Sequence, residues 1–556
     1  MCEPRLPRKL SARFCPRYGI AILFTYFTWV ARSRRLQSSP QAWQPLGQIA
    51  AKDNVALAMA LLAPTSAVAR DPRNRMSLAH IANKRMPSLR WLRPRVHMQF
   101  GDVVKNLFSG FQGESLTDFT SEAPSWDSLR SKWDDLSTDE EKRFREELQS
   151  GRADRACALA SHRLFDLPEG ESPRVTFFRD TAAWCPYCEK VWLVLEEKKV
   201  PYEVKKVNMN CYGQKPDWFW KMQPSGGIPV ATLDGNVIRE SNDIIMAIES
   251  TFKEIPLLPS DEDAASRVQP LLRLERELFS AWFRWVTSVF EGDQRVRFEE
   301  LLIQVNTELG VAGGPYFLGK DLSIVDCMFA PFLERMAASL AYYKGLTLRR
   351  NDNWPRIEEW FLAMESRPSY RHIQSDFYTH INDLPPQIGR CTSVPESAQI
   401  AATIDGSDGS WSLPLPEDDG SLLEPLKGLG QSDEAARREA AERLIANHEA
   451  VVRFAARGFK GPGMPPVSAR LSDPYVKVDG EALPIVDTLL RHVVHALLDG
   501  SDAASAKLSS GIEPGVAAKS LGYLRDRISV PRDMSYPAAR QLRAHLNYVI
   551  DAFASA

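Results

Sequence analysis

The chain has 556 residues, about four domains' worth at roughly 150 residues each. Its 44% apolar and 25% charged residues are typical of globular protein. The net charge of −2 is uneven, because residues 1–100 hold 17 Lys and Arg but 3 Asp and Glu, which leaves −16 for the rest. An acidic body of that size excludes a general nucleic-acid binder, since it offers phosphates no broad basic surface.

The basic first segment has the pattern of a targeting leader. Residues 18–31 are apolar and follow a positive stretch, and fourteen residues suit a signal-peptide core better than a membrane span of about 20. A basic, Ser-containing stretch without acids follows, as in organelle transit peptides. We predict that residues 1–95 are a largely disordered, bipartite-looking plastid leader; a membrane-anchored N terminus is the alternative.

The next residues, 96–170, read as a helical N-terminal extension, with Ser137 or Thr138 as a helix cap and Gly151 as a stop. From residue 171 to 256 the pattern predicts the order βαβ–α–ββα, a small sheet flanked by helices. The last two strands join at an Asp234-Gly235 hairpin turn.

The remainder reads as helical. Residues 261–385 show helical patterns throughout, with Ser323 and Asp326 at capping-box spacing. Residues 386–421 are rich in Pro, Gly, Ser and Asp and are predicted to be a linker. Residues 422–556 are predicted to form a helical C-terminal extension. In it, His492 and His495 are either two ligands of a metal site or two residues on one face of a helix.

The sequence "CPYC" holds the single close cysteine pair outside the leader, at the start of a helical pattern. Backbone N–H groups at a helix start stabilise a thiolate at Cys185, and Cys188 one turn later can close a disulfide with it. A zinc site would need four ligands, usually two such pairs, and no second pair exists. Two inert buried thiols remain an alternative to redox chemistry.

Residues 174–380 resemble the cysteine-type glutathione transferases through four segments: "CPYC", "QKPDWF", "GGIPV" and "RES". The resemblance implies an α/β thioredoxin-like domain followed by an all-α domain, here with helical extensions at both ends. It also implies glutathione as co-substrate, no metal, and these roles: catalytic Cys185, with Cys188 beside it; Lys215 on the glycine carboxylate; cis Pro229, preceded by Ile228 on the cysteinyl backbone; Glu240 and Ser241 on the γ-glutamyl end.

Simple electrostatics agrees with these implied roles. A lysine can pair with one carboxylate of glutathione, and a helix start can hold the other. The alternatives that involve no ligand are a solvent-exposed surface charge for Lys215 and a helix cap for Ser241.

Four aromatic residues follow helical spacing in the all-helical half: Phe279, Trp282, Phe283 and Phe290. Core packing is the first interpretation of this spacing. A second-substrate pocket lined by Phe279, Trp282 and Phe283 is the other.

Extensions on both sides of a "CPYC"-type unit resemble the iota-class transferases of photosynthetic organisms. We therefore expect a glutathione-dependent thiol transferase or reductase, acting on mixed disulfides or dehydroascorbate. A scaffold that binds a hydrophobic ligand with little turnover is the alternative. Expected partners are glutathione, a small-molecule or glutathionylated protein substrate and a second copy of the chain, with no nucleic acid.

Overall fold

The computed structural model describes residues 123–426, 431–467, 469–501 and 514–555, which lie in one compact unit. The predicted leader, residues 1–95, lies outside the described residues. Within the described ranges, no helix combines the length and apolar character that a bilayer span requires.

Two helices open the described chain. Helix α1 (Trp126–Leu136) begins after Ser125, whose hydroxyl accepts the N–H of Ser128. Helix α2 (Asp139–Ser150) begins with a capping box in which Thr138 and Glu141 satisfy each other's backbone N–H groups. It ends at Gly151 in the left-handed conformation. The predicted cap and stop are therefore confirmed.

A five-stranded sheet follows, with the order β1-β3-β2-β4-β5. The pair β2–β3 is parallel and the other pairs are antiparallel. Strand β1 lies in the extension that the sequence predicted as helical, so this part of the prediction was incomplete. The strands are β1 (His162–Arg163), β2 (Val175–Asp180), β3 (Tyr202–Val207), β4 (Val230–Leu233) and β5 (Asn236–Arg239).

Three helices flank the sheet in the predicted order. The β4–β5 turn places Asp234 and Gly235 at φ of 50° and 79°, the double positive φ that a two-residue hairpin turn requires. Helix α3 packs against α5. The helices are α3 (Pro186–Glu197), α4 (Asp217–Met222) and α5 (Ser241–Thr251).

The following residues are all helical, as predicted. Helix α8 is central: it is buried along nearly its whole length and packs against α3, α6 and α11. Its predicted capping box, Ser323 with Asp326, is present. The helices are α6 (Glu262–Thr287), α7 (Gly292–Val311), α8 (Ile324–Lys344), α9 (Pro355–Glu365), α10 (Pro368–Arg371) and α11 (Phe377–Ile388).

The predicted linker contains helix α12 (Ala398–Asp405), which packs on α8. Buried side chains of the sheet, of α3 and of helices α5 to α12 form one continuous cluster, the main core. Phe219 of α4 packs in a smaller cluster on the sheet. The fold is thus a thioredoxin-like domain joined to an all-helical domain, with further helices beyond. These are α13 (Asp433–Ala446), α14 (His448–Ala455), α15 (Leu483–Asp499), α16 (Pro514–Arg525) and α17 (Tyr536–Ser555).

The two extensions share a second cluster of buried side chains, the accessory core. Leu129 and Trp133 of α1 pack into it with residues of α13 to α17. The indole N–H of Trp133 donates to the carbonyl oxygen of Arg438 at 2.9 Å. The described parts of residues 123–150 and 431–555 are called the accessory module below.

Candidate active site

Cys185 is the cap residue at the start of α3, and its side chain makes no capping bond. Pro186 occupies the first turn of the helix. The sulfur of Cys185 lies 3.9 Å from the carbonyl oxygen of Ile228, just before β4. The first turn of α3 and this carbonyl oxygen therefore both lie beside the thiol of Cys185, a residue that is 6% exposed.

Cys188 lies one turn further into α3 and is 2% exposed. Burial raises the pKa of the Cys188 thiol well above its usual range, and the adjacent Cys185 raises it further. A thiol held in its protonated form is a poor nucleophile. The two cysteines therefore differ: one stands at a helix start, the other is held neutral behind it.

The Ile228–Pro229 peptide bond is cis, as the resemblance implied. It directly precedes β4 and so lies at the start of that strand. This places the Ile228 backbone beside Cys185, where the cysteinyl part of glutathione was expected.

Lys215 lies in the loop before α4 and is buried. Its Nζ donates to the carbonyl oxygen of Asn208 and lies 5.6 Å from the centre of the Phe219 ring. Burial lowers the pKa of Lys215, whereas ionised Cys185 and Cys188 thiols would raise it. No carboxylate among the described residues pairs with this lysine, so its charge is available to an anionic ligand.

The helix that follows β5 starts one residue earlier than predicted. Glu240, rather than Ser241, is the cap residue of α5, and its side chain makes no capping bond. Ser241 is the first residue of the helix and is buried. Glu240 has a φ of 64°, a strained value for a residue with a side chain. The first N–H groups of α5 have no acceptor within the helix, as at any helix start, and can bind an anion.

Lys190 was missed by the sequence interpretation. This residue of α3 is 4% exposed, and its Nζ donates to the side-chain oxygen of Asn242 in α5 at 2.7 Å. It therefore lies between the starts of the two helices that frame the site. Burial lowers the pKa of Lys190 to about 7, and the charge of Arg276 lowers it as well. The sequence signal that could have identified Lys190 is its position five residues after Cys185.

The structure separates the four aromatic residues that follow helical spacing in the sequence. Phe279 packs edge-on against Phe332 with ring centres 5.1 Å apart, and Phe332 packs in the same way against Tyr187 of "CPYC" at 5.7 Å. Phe283 lies beside Phe279 at 6.2 Å. These rings connect the helical half to the cysteine pair.

The other two aromatic residues lie apart from this cluster. Trp282 is buried in the main core, where its indole N–H donates to Ser339 at 2.9 Å, so the structure favours packing for it. Phe290 was placed on the same helix face, which is wrong: α6 ends at Thr287, and Phe290 is 76% exposed beyond it.

Among the described residues, no group of three or more His, Cys, Asp or Glu side chains is arranged to hold a metal ion. His492 and His495 are both buried in α15. The Nε2 atom of His495 lies 3.1 Å from a carboxylate oxygen of Asp499, one turn on.

Two family models match the chain: the glutathione S-transferase N-terminal domain over residues 184–251 and the C-terminal domain over residues 266–363. Among curated relatives, "Glutathione S-transferase DHAR3, chloroplastic" of Arabidopsis thaliana is 30% identical, over 34% of this chain and 69% of that protein. "Probable glutathione S-transferase DHAR1, cytosolic" of Oryza sativa subsp. japonica is 31% identical, over 34% and 84%. The chain belongs to the glutathione S-transferase family.

Solved structures similar to this transferase include the omega 3C glutathione transferase of Trametes versicolor. That structure is 24% identical, covers 42% of this chain and 95% of its own, and has a TM-score of 0.34. The dehydroascorbate reductase of Chlamydomonas reinhardtii is 22% identical, over 36% and 93%, with a TM-score of 0.31.

Membership of the family makes this chain a glutathione-dependent enzyme with glutathione as co-substrate. The matched ranges, 184–251 and 266–363, contain both cysteines of the pair and the lysine before α4. The accessory module lies outside them.

Proposed function

We propose that this transferase is a glutathione-dependent thiol transferase or reductase that acts through Cys185. The observation that carries the proposal is the thiol at the start of α3, 3.9 Å from the Ile228 carbonyl oxygen. The N–H groups and dipole of a helix start stabilise a thiolate in that position. A thiolate beside a glutathione site can attack a bound glutathione mixed disulfide and take up its glutathionyl group, with release of the other thiol.

The proposed reaction on a mixed disulfide R–S–S–G has two exchanges. The Cys185 thiolate attacks the glutathione sulfur, the original S–S bond breaks, and R–S⁻ leaves and takes up a proton. A free glutathione thiolate then attacks the glutathione sulfur bound to Cys185. Glutathione disulfide leaves and the Cys185 thiolate is regenerated. With dehydroascorbate, two glutathione molecules supply two electrons and two protons, and the products are ascorbate and glutathione disulfide.

Glutathione itself is proposed to lie between Lys215 and the start of α5. The buried Lys215 would pair with the glycine carboxylate, while the first N–H groups of α5 and the Ser241 hydroxyl would hold the γ-glutamyl carboxylate. Glu240 would accept the ammonium group, and the Ile228 backbone would pair with the cysteinyl unit beside Pro229.

Cys188 is proposed to be dispensable for glutathione-containing substrates. Its burial and raised pKa disfavour attack on a mixed disulfide at neutral pH. It remains able to close an internal disulfide with Cys185, which would inactivate the enzyme reversibly.

The rings of Tyr187, Phe279, Phe283 and Phe332 support a second candidate function, a scaffold that holds a hydrophobic ligand with little turnover. Conjugation of glutathione to electrophiles is disfavoured, because a cysteine stands where that chemistry uses a hydroxyl. A Cys185→Ser variant separates the two candidates: a transferase loses turnover, whereas a scaffold keeps its affinity for a fluorescent hydrophobic probe such as anilinonaphthalene sulfonate.

The deciding experiment is a substrate panel on the full chain with a glutathione mixed disulfide, dehydroascorbate and a chloro-nitrobenzene. Turnover of either of the first two, lost in Cys185→Ser, supports the proposal. Turnover of the third alone contradicts it.

A plastid location is proposed from the basic leader and from relatives named chloroplastic. Residues 1–95 fused to a fluorescent protein should direct it to plastids. Retention in a carbonate-washed membrane fraction would favour the anchor instead. A homodimer is also proposed, and light scattering of the purified chain would measure its mass.

A further inference from the structure

The accessory module is attached to the main core by buried polar contacts around α11. The Arg543 guanidinium of α17 donates to Asp376 at 2.7 Å, and both side chains are buried. Val530, between α16 and α17, accepts the hydroxyl of Ser375 at 2.6 Å and donates to that of Thr379 at 3.0 Å. Contacts of this kind fix position as well as contribute stability, because each buried group depends on its partner.

The same α16–α17 segment brings Arg532 to the wall of the active site. The guanidinium carbon of Arg532 lies 5.1 Å from the ring centre of Trp184, within the range of a cation–π contact. Its own orientation is fixed, since it donates to Asp533 at 2.8 Å and to the carbonyl oxygen of Arg527 at 2.6 Å. Arg532 therefore meets the ring as a pre-oriented, planar group.

Trp184 is the residue immediately before Cys185, and its ring is fully buried. Its backbone N–H donates to the Asp180 carboxylate at 2.6 Å, and its carbonyl oxygen accepts the Arg335 guanidinium at 2.6 Å. The ring packs edge-on against Tyr212 at 5.0 Å. Backbone and ring are thus both held, and Arg532 contacts the ring from the C-terminal extension.

We infer that the C-terminal extension completes the active site: Arg532 is a positioning residue that holds Trp184 and thereby sets the reactivity of the Cys185 thiol. The cap residue follows Trp184 directly, so a shift of the tryptophan that displaces its backbone also displaces Cys185 relative to the N–H groups of α3. Loss of that alignment slows attack by the Cys185 sulfur. The inference rests on the proposed chemistry of Cys185.

The test measures alkylation of Cys185 by iodoacetamide, site by site with mass spectrometry, on full-length chains between pH 5 and 9. We expect Arg532→Ala to slow labelling at pH 6 by roughly five- to thirty-fold, the range of a desolvated cation–π contact, and to shift its pH profile upward. Arg532→Lys keeps the charge and should restore part of the rate. Arg540→Ala is the matched control, because Arg540 contacts the carbonyl oxygen of Pro416 instead.

Wild-type labelling of Cys185 in both Arg532 variants would overturn the inference. Labelling of the fully buried Cys327 reports whether a variant has partly unfolded. If Arg532→Ala labels at Cys327, the rate of Cys185 labelling in Arg532→Lys is compared with that of wild type instead. The proposed function fails separately, if Cys185→Ser retains turnover, because labelling of Cys185 requires no substrate.

Discussion

Helix α3 of the main core and helix α15 of the accessory core are both largely buried, and both bury charged or ionisable side chains. In α3 these groups reach other elements: Glu189 meets Arg335 of α8, and Lys190 meets Asn242 of α5. In α15, Arg491 bonds Asp487 one turn away and also donates to the carbonyl oxygen of Ala123, just before α1. The polar groups of α3 flank a thiol at a helix start, an arrangement suited to chemistry, whereas those of α15 join the two extensions to each other.

The difference assigns the chemistry to the main core and support to the accessory module. Arg532 links the accessory module to the candidate active site of the main core, since its guanidinium contacts Trp184, the residue before Cys185. Four experiments can break or sharpen this division of labour.

The largest effect should come from the cysteine pair. We expect Cys185→Ser to lower turnover of a glutathione mixed disulfide on the order of 10³-fold or more, because the proposed nucleophile is lost. Cys188→Ser should retain most activity. Steady-state rates decide, with the half-buried Cys391 changed to serine as the control. A Cys188→Ser enzyme as inactive as Cys185→Ser would make the dithiol route obligatory.

The accessory core should matter for stability rather than for glutathione affinity. Trp133→Ala removes a buried ring and its bond to Arg438, and should lower the free energy of unfolding by about 3–5 kcal/mol. Leu136→Ala, an exposed position on the same helix, should change it little. Denaturant unfolding and calorimetric titration of glutathione measure the two quantities. A weaker glutathione affinity in folded Trp133→Ala would show that the division is wrong.

Lys190 should make stability depend on pH. Its pKa is about 7 in the folded chain and near 10.5 when unfolded, so between these values the unfolded state binds more protons and stability rises with pH. Below pH 7 the cost of the buried charge is fully present. The free energy of unfolding of Lys190→Met should therefore exceed that of wild type at pH 7 by about 3–4 kcal/mol. The gap should shrink as the pH rises and close above pH 10.5.

The control for this pH dependence is Lys253→Met, at an exposed position. Its unfolding free energy should follow that of wild type at every pH. A gap between Lys190→Met and wild type that stays constant from pH 7 to 10 would mean that Lys190 does not titrate in this window.

The smallest of the four effects concerns Lys215. Lys215→Ala should weaken glutathione binding by about 1–3 kcal/mol, because a partly desolvated ion pair is lost. Lys221→Ala, which alters an exposed lysine of α4, should not. Calorimetry that finds unchanged affinity in both Lys215→Ala and Ser241→Ala would remove the proposed glutathione site.

The main core was predictable because its signals are local. The hairpin turn, the capping box at Ser323 and the cysteine pair each lie within a few residues. Errors occurred where the local signal was short or absent. Strand β1 has two residues, and α12 lies in a segment of linker-like composition.

The accessory module was predictable as helices but not as one structure. Nothing near Trp133 indicates that it packs with helices about 300 residues later, because buried apolar faces resemble one another. The role of Arg532 was hidden for the same reason. A lone arginine in a loop carries no pattern until the fold brings it to Trp184.

The accessory core, built from both ends of the described chain, constrains the order of synthesis. Helix α1 leaves the ribosome first, yet α15 follows some 350 residues later, which is tens of seconds at roughly 5–20 residues per second. Until α13 to α17 have been synthesised, Leu129 and Trp133 lack their apolar partners in the accessory core, even if the thioredoxin-like and all-helical domains have already folded. A chain that stops early therefore displays an apolar face to chaperones and proteases, so the cell can distinguish finished from unfinished copies of this enzyme.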